Sequence, residues 1–173
     1  MRDNICKDPG FFNFNQFHNP DNITCHYETT GVEILEQTKG LPVAAFLDGT
    51  GTGGTLMGVS SRLKERHPNI KTLAIEPAES PVMSGGEPGL HGIQGIGDGS
   101  KFLVDLDKVD EVLLVKTNDA IKRMKQLHQR GLLVGISSGA NVLASERWIE
   151  KNNPDGIVVT ILCDRGERYL SCL

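Results

Sequence analysis

No apolar run in these 173 residues approaches the ~18 that a membrane span needs. Residues 1–4, Met1-Arg2-Asp3-Asn4, also lack the hydrophobic core of a signal peptide. A cytoplasmic protein with no membrane partner is the expectation. Cysteine is scarce: Cys6, Cys25, Cys163 and Cys172 form no CxxC pair, so neither a zinc centre nor a redox motif is indicated. Reduced thiols are expected. His18, His26, His67 and His128 show no metal-site spacing, and no metal is expected. Positive charge is not in excess. Lys and Arg number 18 against 22 Asp and Glu, for a net charge of -4, so the basic footprint of a nucleic-acid binder is missing. An acidic ligand would have to be held by local donors, since no global field attracts it.

What is present is an ordinary supply of core and surface residues, 38% apolar and 23% charged. The length suits a single domain, 1–173, with a sizeable core. Glycine is the exception. There are 20, about 12% of the chain against a typical ~7%. They cluster without a fixed period, which excludes collagen-like sequence and points to loops of special backbone conformation.

The first 27 residues read as irregular, with turns at Asp8-Pro9-Gly10 and Asn19-Pro20-Asp21-Asn22. Thr30-Gly31-Val32-Glu33 has the pattern of a capping box opening a helix, with Gly40 placed as its glycine cap. Residues 42–47 predict a buried strand, followed by a glycine turn over 48–54. Leu56, Val59 and Leu63 then recur with helical spacing, and His67-Pro68 ends that helix. A second strand is predicted over 71–75 and a third over 111–115. Between them, residues 76–101 carry no clear periodicity; loops that long in a compact domain are usually functional. Asn118 is placed to cap a helix bearing Ala120, Ile121, Met124 and Leu127 on one face. A second glycine turn, 135–139, leads into a helix with Ala140, Leu143, Ala144 and Trp148, and a last strand covers 157–162. Alternating strands and helices of this kind predict an α/β fold: a mostly parallel sheet in three layers, with helices on both faces.

Four segments carry the pattern of sites. Gly49-Thr50-Gly51-Thr52-Gly53-Gly54-Thr55 lies between a strand and a helix, where backbone N–H groups gather at the positive end of the helix and small residues leave room for a ligand. Thr52 and Thr55 add hydroxyls, and the natural guest is a phosphate. No Gly-Lys-Ser/Thr follows, so this is not a P-loop. It is not a strict GxGxxG dinucleotide fingerprint either. A tight turn without a ligand is the plain alternative. Gly135-Ile136-Ser137-Ser138-Gly139-Ala140 is a second small-residue strand-to-helix junction, and either serine could be only an N-cap. His91-Gly92-Ile93-Gln94-Gly95-Ile96-Gly97-Asp98-Gly99 is a loop of close backbone approach or a plain surface loop; its lone histidine is not assigned to catalysis. Cys163-Asp164-Arg165-Gly166-Glu167-Arg168-Tyr169-Leu170-Ser171 follows the last strand, at the carboxyl edge where open α/β sheets bind ligands. Surface ion pairs would equally explain its charges.

These four motifs, in this order, resemble the fold-type II pyridoxal 5′-phosphate enzymes, and most closely the cysteine synthases (O-acetylserine sulfhydrylases). The likeness runs from Asn15-Gln16-Phe17-His18-Asn19-Pro20 to the last motif. Cys163-Asp164-Arg165-Gly166 is similar to B-type members, and the 91–97 loop to A-type members. The resemblance implies the large-domain fold of the tryptophan-synthase-β-like enzymes and pyridoxal 5′-phosphate as cofactor. It gives Gly51, Thr52, Gly53, Gly54 and Thr55 to the cofactor phosphate and Ser137 to the pyridine nitrogen. It places Gln16 near the substrate carboxylate, with Gly95 and Gly97 on the substrate side. A neutral hydroxyl at the pyridine nitrogen leaves the ring a weaker electron sink, which suits β-elimination and β-replacement.

The resemblance also implies what the chain leaves out. Family members carry the Schiff-base lysine and a Thr/Ser/Gly/Asn-rich substrate loop in a portion that precedes everything matched here. The chain therefore reads as a C-terminal half with no catalytic residue of its own. Its ten lysines all fall outside that motif. The implied reaction joins O-acetyl-L-serine, or O-phosphoserine, to sulfide to give L-cysteine. Isolated, the chain is expected to be inactive, and to work as a homodimer or with a complementing N-terminal half. The competing readings are a non-catalytic phosphate-binding or dimerising module, a cystathionine β-synthase (whose pattern fits less well at 135–139 and 166–169), and a dinucleotide-binding oxidoreductase domain.

Overall fold

The apolar runs of the sequence become four strands: β1 (Val43–Gly49), β2 (Lys71–Pro77), β3 (Glu111–Val115) and β4 (Ile157–Thr160). The computed structural model describes residues 6–172, with side chains as far as Leu170; the leader reading at residues 1–4 and the thiol of Cys172 lie outside that span. The strands form one sheet in the order β3-β2-β1-β4, every pairing parallel. Parallel strands need crossovers, and helices supply them on both faces. On one face lie α1 (Asp21–Glu28), α2 (Thr30–Gln37) and α3 (Gly54–Arg66). On the other lie α4 (Thr117–Gln129) and α5 (Ile136–Asn152).

The strands divide their side chains between the two layers by simple alternation. Ala45, Leu47, Leu73 and Ile75 point toward α4 and α5, where Met124, Ala140, Ala144 and Trp148 close one core. Phe46 and Ala74 point the other way and meet Leu56, Val59 and Leu63 of α3. Ile93 and Ile96 of the long loop are buried in the first of these cores, so that loop is pinned to the sheet despite having no regular structure. No helix among the described residues is long and apolar enough to cross a membrane.

Several local expectations change. The segment read as irregular contains α1. Asn19-Pro20 starts this helix: Asn19 Oδ1 accepts the Asp21 N–H at 3.0 Å, and Pro20 already has helical φ/ψ. The helix has no buried residue of its own and hence no apolar stripe to announce it. The capping box is not made. Thr29, the residue before α2, turns its hydroxyl back to the Cys25 carbonyl at 2.7 Å, and Thr30 Oγ1 is taken by His26 Nδ1 at 2.9 Å. Asn118 does not cap α4, which begins at Thr117; the Thr117 N–H is met at 2.8 Å by Glu79 Oε1, a cap from 38 residues upstream. The 135–139 turn is mostly helix, since α5 starts at Ile136, and β4 ends at Thr160, short of Leu162.

Candidate active site

From β1 the chain steps through α3 to β2 and on to β3, while β4 joins the opposite side of β1. Strand order therefore reverses between β1 and β4, and open α/β sheets bind ligands at such a reversal, outside the carboxyl ends of the strands. A cleft of about 620 Å³ lies there. The 49–54 turn forms one wall, Gln94 to Ile96 a second, and Ser137 with Cys163 and Asp164 a third.

The turn itself is built by glycine. Gly53 has φ +87, a left-handed conformation that L side chains rarely adopt, and a Cβ there would also meet Val104 at 2.6 Å. Gly54 packs beneath Asn22, whose Oδ1 would lie 2.0 Å from an added Cβ. With these constraints met, the N–H groups of Gly51, Thr52 and Gly53 find no protein acceptor among the described residues. The first turn of α3 adds N–H groups that no intrahelical carbonyl can reach.

The hydroxyls are oriented from behind. Thr52 Oγ1 accepts from Asn22 Nδ2 at 3.0 Å and from the Gly54 N–H at 3.2 Å, which leaves its own proton to donate into the cleft. Thr55 Oγ1 lies 3.2 Å from His26 Nε2, and His26 Nδ1 lies 2.9 Å from Thr30 Oγ1. Burial lowers the His26 pKa, favouring a neutral ring. With the ring proton on Nε2, Thr30 donates to Nδ1, His26 donates to Thr55, and the Thr55 proton is free for a ligand. This donor set, all neutral amides and hydroxyls at a helix start, fits a phosphate ester. Pyridoxal 5′-phosphate carries such a group.

The other predicted site residues divide. Gly51, Thr52, Gly53, Thr55, Ser137 and Gly95 line the cleft together. Gly54 sits behind it under Asn22. Gln16 is exposed and reaches the turn only through its carbonyl, which accepts from Asn22 Nδ2 at 2.9 Å. Gly97 lies one step back, its N–H donating to the Thr50 carbonyl at 3.0 Å. Asp48, His26 and Asn141 were not singled out as site residues by the sequence. A charged residue ending an apolar strand, directly before a glycine turn, is the signal that could have raised Asp48. Glu76, the acid nearest a dinucleotide's ribose position, is 2% exposed, and its oxygens accept from the Met83 and Ser84 N–H groups and the Ser84 hydroxyl. It is not free for a ribose.

The family model for pyridoxal-phosphate dependent enzymes matches residues 1–164. The chain belongs to this family. Among curated relatives of this pyridoxal-phosphate dependent chain, a cysteine synthase of Staphylococcus aureus is 43% identical over 169 residues, 95% of this chain and 54% of the relative. Among solved structures, a hydrogen sulfide-producing enzyme from Fusobacterium nucleatum superposes with a TM-score of 0.93 at 38% identity, covering 98% of this chain and 52% of that one. A cysteine synthase from Entamoeba histolytica gives 0.90 at 41% identity, covering 98% and 51%. The chain spans about half the length of the relatives it matches. The fold is that of the fold-type II pyridoxal 5′-phosphate enzymes.

Proposed function

We propose that residues 1–173 supply the cofactor seat of a β-replacement enzyme that makes L-cysteine from O-acetyl-L-serine, or O-phosphoserine, and sulfide. The observation that carries this is the turn at 51–55, whose unpartnered N–H groups and oriented hydroxyls open on the same cleft as Ser137. Pyridoxal 5′-phosphate held there would supply the electron sink for bond breaking at the substrate's α- and β-carbons. Gly51, Thr52, Gly53 and Thr55 bind its phosphate, with Gly54 fixing the turn from behind. Ser137, 3% exposed in the first turn of α5, holds the pyridine nitrogen through a neutral hydroxyl. Gly95 and Gly97 belong to the substrate-side wall, and Gln16 lies near the substrate carboxylate. The complete protein works as a cytoplasmic homodimer or with a lysine-bearing N-terminal half.

A second reading, a binding module without catalysis, is favoured by one observation: no lysine among the described residues lines the cleft. Adding a lysine-bearing N-terminal half separates the two, because only the enzyme part would regain turnover.

The phosphate assignment is tested with pyridoxine 5′-phosphate, which has no aldehyde to react with surface lysines. Thr52→Ala removes a donor and frees Asn22, so affinity measured by calorimetry should fall about tenfold, the scale of one hydrogen bond to a charged group. Unchanged affinity in a folded variant would count against the seat.

A further inference from the structure

The phosphate seat makes no use of Asp48, the only charged residue in β1. Its side chain is 4% exposed and borders the same cleft as Gly51, Thr52 and Ser137. Among the described residues no cation pairs with it. Its one side-chain partner is the Asn141 amide, with Nδ2 3.4 Å from Asp48 Oδ1. Besides that amide only the Gly49 N–H reaches it, and a carboxylate buried with so little compensation costs far more than the neutral acid. Asn141 is fully buried and held in place, its Nδ2 also donating to the Ile161 carbonyl at 2.9 Å, so it offers the carboxyl one long contact and no charge.

We propose that Asp48 is the proton-holding residue of this cleft: it carries a proton when a phosphate-bearing anion occupies the glycine turn, so that the anion and one proton bind together. This rests on the phosphate seat proposed above. A dianion and a carboxylate in one desolvated cleft repel each other, and a proton taken from solvent onto Asp48 removes that repulsion. Burial already lifts the Asp48 carboxyl to about 7 before any anion arrives.

The surroundings leave Asp48 as the group that responds between pH 7 and 8.5. From the segment after β4, the Cys163 thiol is pushed up to about 12 by desolvation and the Asp48 charge, although the residue as a whole is exposed. From the last turn, burial and a hydrogen bond to Asp164 push Tyr169 up to about 12. On α1, His26 is lowered by burial and is neutral in this range. On β2, Glu76 is engaged by the 83–84 loop. Asp164 accepts the Tyr169 hydroxyl at 2.5 Å, and Arg168 borders the cleft mouth. From helix α5 the neutral Asn141 meets the carboxyl, and the neutral Ser137 borders the same cleft.

The test is calorimetric titration of the full 173-residue chain with pyridoxine 5′-phosphate, in two buffers of different ionisation heat, at pH 7.5 and 8.5. The unmodified chain should take up about one proton more per ligand than Asp48→Asn, a difference in which the ligand's own ring-nitrogen titration cancels, and between the two pH values its affinity should fall close to tenfold more than the variant's, the limit for one linked proton. Asp48→Ala serves as the reference if Asp48→Asn is unstable. On the unmodified chain, carbon-13 NMR should show the Asp48 carboxyl titrating near neutrality and moving upward with ligand. The same proton balance and the same pH dependence of affinity in the two chains would overturn the proposal. No saturable binding at any pH, with Asp48 still titrating near neutrality, would remove the phosphate seat itself, and the proposal would fall with it.

Discussion

Purified alone, residues 1–173 should form no cysteine from O-acetylserine and sulfide, even when saturated with pyridoxal 5′-phosphate. The cleft has donors for a phosphate and a hydroxyl for a ring nitrogen, but no lysine reaches it among the described residues. The described lysines are spread over the surface, several in exposed ion pairs such as Lys71 with Asp110 and Lys151 with Glu111. The Schiff-base lysine that the proposed reaction would need has no stand-in among the described residues that line the cleft. Such a loss removes several orders of magnitude of rate. The assay is sulfide-dependent cysteine formation across the fractions of a final gel-filtration step. Activity that coelutes with the pure chain would refute the expectation, and would require an amine in the cleft, where no described residue supplies one.

The second large effect is on stability. Replacing Asp48 by Asn should make the chain more stable at pH 8 by about 4 kcal/mol relative to the difference at pH 4. The Asp48 carboxyl titrates at about 7 in the fold against an ordinary 3.8. Between those values the folded chain holds a proton that the unfolded chain has released, so stability falls as pH rises, by about 1.4 kcal/mol per pH unit. The loss is absent below pH 3.8 and complete above about 7. Asn has the same shape and nothing to titrate. Asp105, Asp110 and Asp119 have lowered pKa values and give the opposite slope at more acidic pH, but they are common to both chains and cancel in the difference. Equilibrium denaturation at pH 4, 5.5, 7 and 8 reads the effect; parallel curves for the two chains would contradict it.

Which parts of this molecule could be read from its sequence follows from how local each cause is. The sheet was legible because parallel strands buried on both faces appear as short apolar runs, and residues 111–115 coincide with β3. Helix α3 was legible from Leu56, Val59 and Leu63. Helix α1 was not, because it packs without burying a residue of its own and begins at an Asn-Pro pair that equally suits a turn. The cap of α4 could not be found locally, since its acceptor is Glu79. The site divides in the same way. Gly51, Thr52, Gly53 and Thr55 lie on one turn, so their grouping was visible at once. His26 reaches the cleft from the unforeseen α1, and Asn141 reaches the Asp48 carboxyl from within α5, both only through tertiary packing. Gln16 was placed beside a ligand, and its link to the turn is indirect: its backbone carbonyl accepts from Asn22, which in turn meets Thr52.

The central claim is that the turn from Gly51 to Thr55 is a phosphate seat. Amide NMR of the nitrogen-15-labelled chain, titrated in parallel with pyridoxine 5′-phosphate and with pyridoxine, tests it most directly. The amides of Gly51, Thr52, Gly53 and Thr55 should shift with the phosphate ester and stay in place with the phosphate-free compound. A turn that does not respond, with shifts instead at the basic groove of Lys39, Arg62 and Arg66 beside α2, would contradict it.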